Sequence, residues 1–254
     1  MNDIKWCIDY LKKYNNINEK INLSDDKALR ALMNITMPIG LSDEFYEKQD
    51  RAIQEIIKDK KIIDVNELDE IEDRIVLYKG DITSLKADAI VNACNEKLLG
   101  CFVPLHNCID NAIHSFAGLQ VRRDLLKAMK EQGGDETNGQ VKVTKGYNLP
   151  SSYIFHTIGP KIYGKVTQEN EDDLRSCYIS CLKKADELNL KTLVFCSIST
   201  GIYGFPIEKA CRISINCVKN YLKRSCIKKV IFDVFSEDDY EIYYRTIKEI
   251  YKRG

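Results

Sequence analysis

Cys101, His106 and Cys108 fall within eight consecutive positions, in the stretch LGCFVPLHNCIDN at residues 99–111. Thiolate and imidazole are donors that zinc favours in tetrahedral coordination. The spacing, Cys-x4-His-x-Cys, matches no common finger or ribbon and contains no Cys-x2-Cys pair. No fourth donor stands nearby: His114 follows six residues later on a predicted helix, and Asp110 is placed to cap that helix. Three donors leave one coordination position open, as in a catalytic or ligand-binding zinc. From spacing alone the competing reading is packing, because buried Cys acts as a small hydrophobe.

Three further segments put polar residues at the ends of apolar runs. Gly80-Asp81-Ile82-Thr83 follows RIVLYK. An Asp there accepts from an exocyclic amine or hydroxyl of a ligand, or it caps the following turn. Asn92 and Asn95 end the segment DAIVNACN. Buried unpaired amides are costly, so either both bond local backbone or one faces a polar ligand such as a sugar hydroxyl. The loop Ser199-Thr200-Gly201-Ile202-Tyr203-Gly204-Phe205-Pro206 closes the run VFCSI. Its glycines let backbone approach a ligand, N–H groups at a helix start form an anion nest, and Pro206 suits a first helical turn. It is neither a Walker loop nor a Gly-x-Gly-x-x-Gly motif. It can still cradle a pyrophosphate, and a plain strand-to-helix turn is the alternative. Phe235, ending VIFDVF, stacks on a planar base or packs in the core. His156, in IFHTIGP, reads as a satisfied core histidine.

The elements that must position these residues are legible from periodicity. The first 70 residues are helical in pattern. Ile4, Cys7, Ile8 and Leu11 recur at helical spacing. Ser24-Asp25-Asp26 opens a second helix, which Pro38 closes off, and Ser42 opens a third. The segment IIDVNELDEIED reads as a joint. From residue 74 the runs RIVLYKG, ADAIVNAC, QVKVTKGYN, SYIFHTIGP, KTLVFCSIST and KKVIFDVFS read as strands. Several are near-continuously apolar, as strands buried on both faces are. Helices are predicted at roughly 110–130, 168–189, 206–223 and 237–252. This alternation predicts an α/β sandwich with a mixed, largely parallel sheet, and ligands then bind where loops leave the strand ends.

Bulk composition narrows the class. Lys+Arg and Asp+Glu both number 38, so formal net charge is zero, which disfavours a polynucleotide binder driven by bulk charge. No apolar run reaches the ~20 residues that span a bilayer. The N-terminus MNDIKWCIDYLKKYNN lacks a signal-peptide pattern. A cytoplasmic location is expected, with the ten cysteines reduced and most serving as core filler.

Taken together, GDIT, DAIVNACN, LPSSYIFHTIGP and SISTGIYGFP resemble, in content and order, the motifs of a macrodomain across roughly residues 73–252. LGCFVPLHNCIDNAIHSFAG is similar to the zinc-containing subfamily found in microbial protein-ADP-ribose hydrolases. LRALMNITMPIGLSDEFYEKQD is similar to the N-terminal extension of those proteins. The resemblance implies a three-layer α/β/α sandwich at 73–254 with a helical N-terminal extension at 1–72. It implies that Asp81, with Ile82 beside it, takes the adenine amine and that Asn95 serves the distal ribose, supported by Asn92. Ser199, Thr200, Gly201, Ile202, Tyr203, Gly204 and Phe205 would wrap the diphosphate and distal ribose. Phe235 would pack on adenine. Cys101, His106 and Cys108 would hold one Zn2+ per chain. Cys94 departs from the family's usual Ala, with little consequence expected.

The implied reaction is hydrolysis of the bond between C1 of the distal ribose and a protein side chain. ADP-ribose and a mono-ADP-ribosylated protein are then the partners, and a monomer is expected. Carboxylates usually assist such a bond cleavage. No carboxylate pair is identifiable, so zinc is expected to replace that assistance, with Asn95 and Asp110 as candidate catalytic residues. The rival expectation is a non-catalytic ADP-ribose reader, because pocket motifs are common to both.

Overall fold

The computed structural model describes residues 2–252. Three helices come first: α1 (Asp3–Tyr14), α2 (Asp25–Ile35) and α3 (Asp43–Ile57). Asn2 and Ser42 cap α1 and α3 by accepting backbone N–H groups. Ser24 stands at the N-cap of α2 without a side-chain cap bond. The apolar stripes of the three helices meet in one cluster, which also takes Leu119 from the rest of the chain.

The segment read from sequence as a plain joint holds a short strand, β1 (Ile63–Asp64), paired in parallel with β3 (Leu85–Lys86). The main sheet contains β2 (Ile75–Lys79), β4 (Ala89–Ala93), β5 (Val141–Lys145), β6 (Tyr153–Thr157), β7 (Thr192–Phe195) and β8 (Lys229–Val234). Their order is β2-β8-β7-β4-β6-β5. Every pairing is parallel except that of β5 with β6. Ile90, Val91, Leu193, Val194, Val230 and Ile231 are fully buried, which is why these runs carry no polar alternation.

Helices α4 (Ile109–Ala117) and α5 (Leu119–Gln132) pack on β4 and β5. Helices α6 (Gln168–Glu187), α7 (Ile207–Leu222) and α8 (Glu237–Lys252) pack side by side. The connection through α4 and α5 runs from β4 towards β5 and β6, whereas those through α6 and α7 run back from β6 to β7 and on to β8; with the usual right-handed crossover the two groups lie on opposite faces, giving three layers. The predicted helix at 110–130 is broken in two by Gly118, whose φ is +102°. A Cβ there would lie 2.6 Å from Gln120 Oε1 and 2.8 Å from Gln49 Nε2. The break lets α3 dock, with Gln49 Oε1 accepting from the Leu119 N–H at 2.9 Å. Among the described residues no helix is long and apolar enough to cross a membrane.

Candidate active site and metal centre

Five strands run parallel, so the carboxyl ends of β2, β8, β7, β4 and β6 share one edge of the sheet. Asp81 leaves β2 and Phe235 leaves β8. The 197–205 loop leaves β7. Asn95 and the Cys-His-Cys loop leave β4. Three strand spacings separate β2 from β4, about 15 Å at ~4.8 Å each. The edge thus presents, in spatial order, a carboxylate beside an exposed aromatic, a glycine-containing loop, then an amide beside sulfur and imidazole donors.

At the far end, the Cys101, His106 and Cys108 donor atoms lie within 4.8 Å of one another, and all three residues are half-buried. Cys101 Sγ is 3.4 Å from His106 Nδ1. Tetrahedral zinc with these donors needs edges of about 3.6–3.8 Å from its Zn–S and Zn–N bond lengths, so the triangle fits that ion with small adjustment. Among the described residues no carboxylate or second histidine joins the group. Cys108 is itself the N-cap of α4, where its Sγ accepts the Asn111 N–H at 3.4 Å. The expectation that Asp110 caps this helix is therefore corrected. Two residues on, within the first turn of α4, Asp110 is buried.

Asp110 belongs to a buried polar cluster beneath the loop. Asn92 Nδ2 donates to Asp110 Oδ1 at 2.8 Å and lies 3.3 Å from His156 Nδ1. His156 Nε2 meets Thr144 Oγ1 at 2.9 Å. This is the satisfied core histidine that the sequence predicts. Burial raises the Asp110 carboxyl to about 6, against the Asn92 hydrogen bond and the Arg122 charge. Burial alone lowers His156 to about 3. His114 Nε2 sits 3.4 Å from Asp110 Oδ1 without hydrogen-bond alignment, and burial holds its imidazole neutral. Asn95 bonds its own loop, donating to the Gly100 carbonyl at 3.2 Å and accepting from Lys97 N–H at 3.1 Å. Of the two asparagines, Asn95 satisfies local backbone and Asn92 serves a buried carboxylate.

The β7 loop is built tightly. Ser199 has a φ of +66°, unusual for a residue with a Cβ, and its buried Oγ has no partner. Gly204 has a φ of +70°. Phe205 N–H returns to the Ser199 carbonyl at 3.0 Å. Thr200 Oγ1 donates to the Ser197 carbonyl at 3.0 Å, and Tyr203 Oη to the Cys94 carbonyl at 3.3 Å. Ile202 is exposed, whereas the side chains of Phe205 and Ile82 are buried. Pro206 stands at the N-cap of α7, just ahead of its first turn.

At the β2 end Asp81 caps the following turn, accepting from Thr83 N–H at 2.9 Å. Its second oxygen is 2.6 Å from Lys60 Nζ, which also lies 3.9 Å above the Phe116 ring. The Lys60 and Thr83 hydrogen bonds outweigh desolvation and hold Asp81 below the ordinary carboxylate range. Phe235 is 77% exposed, which corrects the core-packing alternative and leaves its ring free.

Lys60, Asn34 and Arg122 were not singled out from sequence. Arg122 carried a signal: it sits on the apolar stripe of α5 with Leu119 and Leu125, and it is 1% exposed. A groove of about 820 Å³ between α6 and α7 lies in the other helix layer. Its Arg175 pairs with Glu171 and Asp172, and its Lys209 with Glu171.

These features define an α/β sandwich whose polar and glycine-bearing loops gather along one strand-end edge, with three potential metal donors at one end of it. The macro domain family model matches residues 91–214. A protein-ADP-ribose hydrolase of Staphylococcus aureus strain MRSA252 is 39% identical over 98% of this chain and 95% of its own length. The crystal structure of the Trypanosoma brucei macrodomain in complex with ADP-ribose matches with a TM-score of 0.67 at 28% identity, covering 83% of this chain and 93% of that one. The Oceanobacillus iheyensis macrodomain with ADP gives 0.66 at 32%, covering 73% and 96%. The chain belongs to the macrodomain family.

Proposed function

We propose that this protein is a zinc-dependent hydrolase that removes mono-ADP-ribose from modified protein side chains and releases ADP-ribose. The observation that carries the reading is the Cys101–His106–Cys108 triangle beside Asn95, with no fourth protein donor among the described residues. The names of its relatives support the reaction class. Residues 73–254 form the macrodomain and residues 1–72 its helical extension. The protein works as a cytoplasmic monomer, with one zinc per chain.

Asp81 and the Ile82 backbone hold adenine, with Phe235 packed on its face. The Ser199–Phe205 segment wraps the diphosphate with backbone N–H groups, so no basic surface is needed and net neutrality is no obstacle. Asn95 orients the distal ribose and Asn92 holds Asp110. The bond from C1 of that ribose to the side-chain atom breaks, water supplies hydroxyl to C1, and its proton leaves with the side chain. Asp110 is assigned the relay of that proton, accepting it from water and returning it to the departing side-chain atom. Zinc, when bound, supplies Lewis-acid polarisation of oxygens around the reacting carbon and activation of water.

Cys101→Ala and His106→Ala are the test. Each should leave a folded protein without stoichiometric zinc, measured by plasma mass spectrometry, and should stop release of ADP-ribose from a mono-ADP-ribosylated protein. Release at the wild-type rate by a zinc-free variant would refute the metal's role. No release by the wild type would leave a reader.

A further inference from the structure

We infer that Asn34 of α2 and Arg122 of α5 are positioning residues that fix the conformation of the metal-binding loop, so that the N-terminal helices take part in holding the metal. The inference rests on the zinc reading above and deepens it.

Asn34 is 1% exposed and reaches the loop by two routes. Directly, its Oδ1 accepts the Leu105 N–H at 2.9 Å. Leu105 needs that hold: its φ is +54°, a left-handed conformation unfavourable for a residue with a Cβ. Indirectly, Asn34 Nδ2 donates to Ser115 Oγ at 3.0 Å. Ser115 Oγ donates on to Asn111 Oδ1 at 3.3 Å. Asn111 Nδ2 donates to the Val103 carbonyl at 3.0 Å, and its backbone N–H goes to Cys108 Sγ. Val103 and Leu105 flank Pro104, midway between Cys101 and His106. One asparagine side chain thus fixes both sides of the turn that brings the two donors together.

Arg122 fixes Asn34 in turn. Its Nη1 donates to the carbonyls of Met33, Asn34 and Thr36 at 2.9, 3.0 and 2.6 Å, closing the C-terminus of α2. Its guanidinium carbon lies 4.3 Å from the centre of the Phe102 ring, next to Cys101. A Cβ on Gly100 would come within 3.1 Å of Arg122 Nη2, so loop and guanidinium are in close contact. The three donors are presented on a short loop with no regular structure of its own. Its register comes from α2, some 70 residues earlier in the chain.

Asn34→Ala tests this, with Ser115→Ala as a milder variant that keeps the Leu105 bond. Zinc loss to a chromogenic chelator should speed up at least about tenfold in Asn34→Ala, as for residues that orient metal ligands, and less in Ser115→Ala. ADP-ribose affinity by calorimetry should stay within about twofold, since Asp81 and the β7 loop are untouched. Hydrogen exchange of metal-free protein should rise in residues 99–108 and stay unchanged in β6 and β7. A wild-type zinc release rate together with unchanged exchange at 99–108 would overturn the inference, as would exchange raised everywhere. Absence of zinc from the wild type would sink the metal reading alone, because the metal-free exchange still reports on the loop.

Discussion

Asp81 shows how one side chain serves two masters. It caps its own turn and pairs with Lys60, yet it stands where the resemblance puts the adenine amine. Asp81→Ala should raise the Kd for ADP-ribose roughly 10- to 100-fold by calorimetry, the worth of a hydrogen bond to a charged group, with zinc content unchanged. Asp233 is the opposite case. It is buried on β8, one oxygen has no partner, and burial together with Asp81 raises its carboxyl well above the ordinary range. The folded state then holds this proton more tightly than the unfolded state, so its contribution to stability falls as pH rises through the folded pKa. Asp233→Asn should therefore raise Tm at neutral pH, by about 2–4 °C for each kcal/mol recovered at this chain length. The gain should shrink as pH falls below that pKa and vanish only once the pH is also below the ordinary carboxylate range, where a persisting gain would contradict the assignment. The three candidate metal donors were legible in the sequence because eight residues contain them all. Lys60 was not: it lies on an irregular joint and meets Asp81 only through the fold.

Elements bring the remaining parts within reach of each other. Strand β6 ends beside the β7 loop, and Gly159 makes that approach possible. A Cβ there would stand 2.0 Å from Ser199 Oγ and 2.7 Å from Ile198 Cγ2. Gly159→Ala should displace the loop and raise the Kd for ADP-ribose at least about tenfold, while zinc binding persists. Unchanged affinity would show that the loop's close packing is dispensable. The strands were legible because both faces are buried and the runs are apolar. The Gly118 break and the β1–β3 pair were not. The first is imposed by α3 docking through Gln49, and the second by a pairing between two-residue segments too short to show a period.

Across the whole molecule, two buried clusters meet at the loop that carries Cys101, His106 and Cys108. Helix α2 supplies one side and helices α4 and α5 the other. Metal bound only by the folded state stabilises it by mass action. Removing zinc with a strong chelator should lower Tm and stop ADP-ribose release, and adding zinc back should restore both. An unchanged Tm with full activity would contradict the proposed metal role. Net neutrality and helix count said nothing about this joint, because contacts between residues 34 and 105 leave no periodic trace in sequence.

The strand order has a consequence for how the protein comes into being. Strand β2 sits at a sheet edge and ends at Lys79, and its partner β8 begins only at Lys229. A ribosome adding about 5–20 residues per second needs on the order of ten seconds to cross that interval. Throughout it the nascent chain can pair β4, β6 and finally β7, while β2 waits with an open edge. The loop carrying Cys101, His106 and Cys108 is thus made before Phe235 and β8 exist to stand beside Asp81. On the proposed reading of the site, nucleotide would help to fold this protein only at the last step of its synthesis, whereas metal would help from midway.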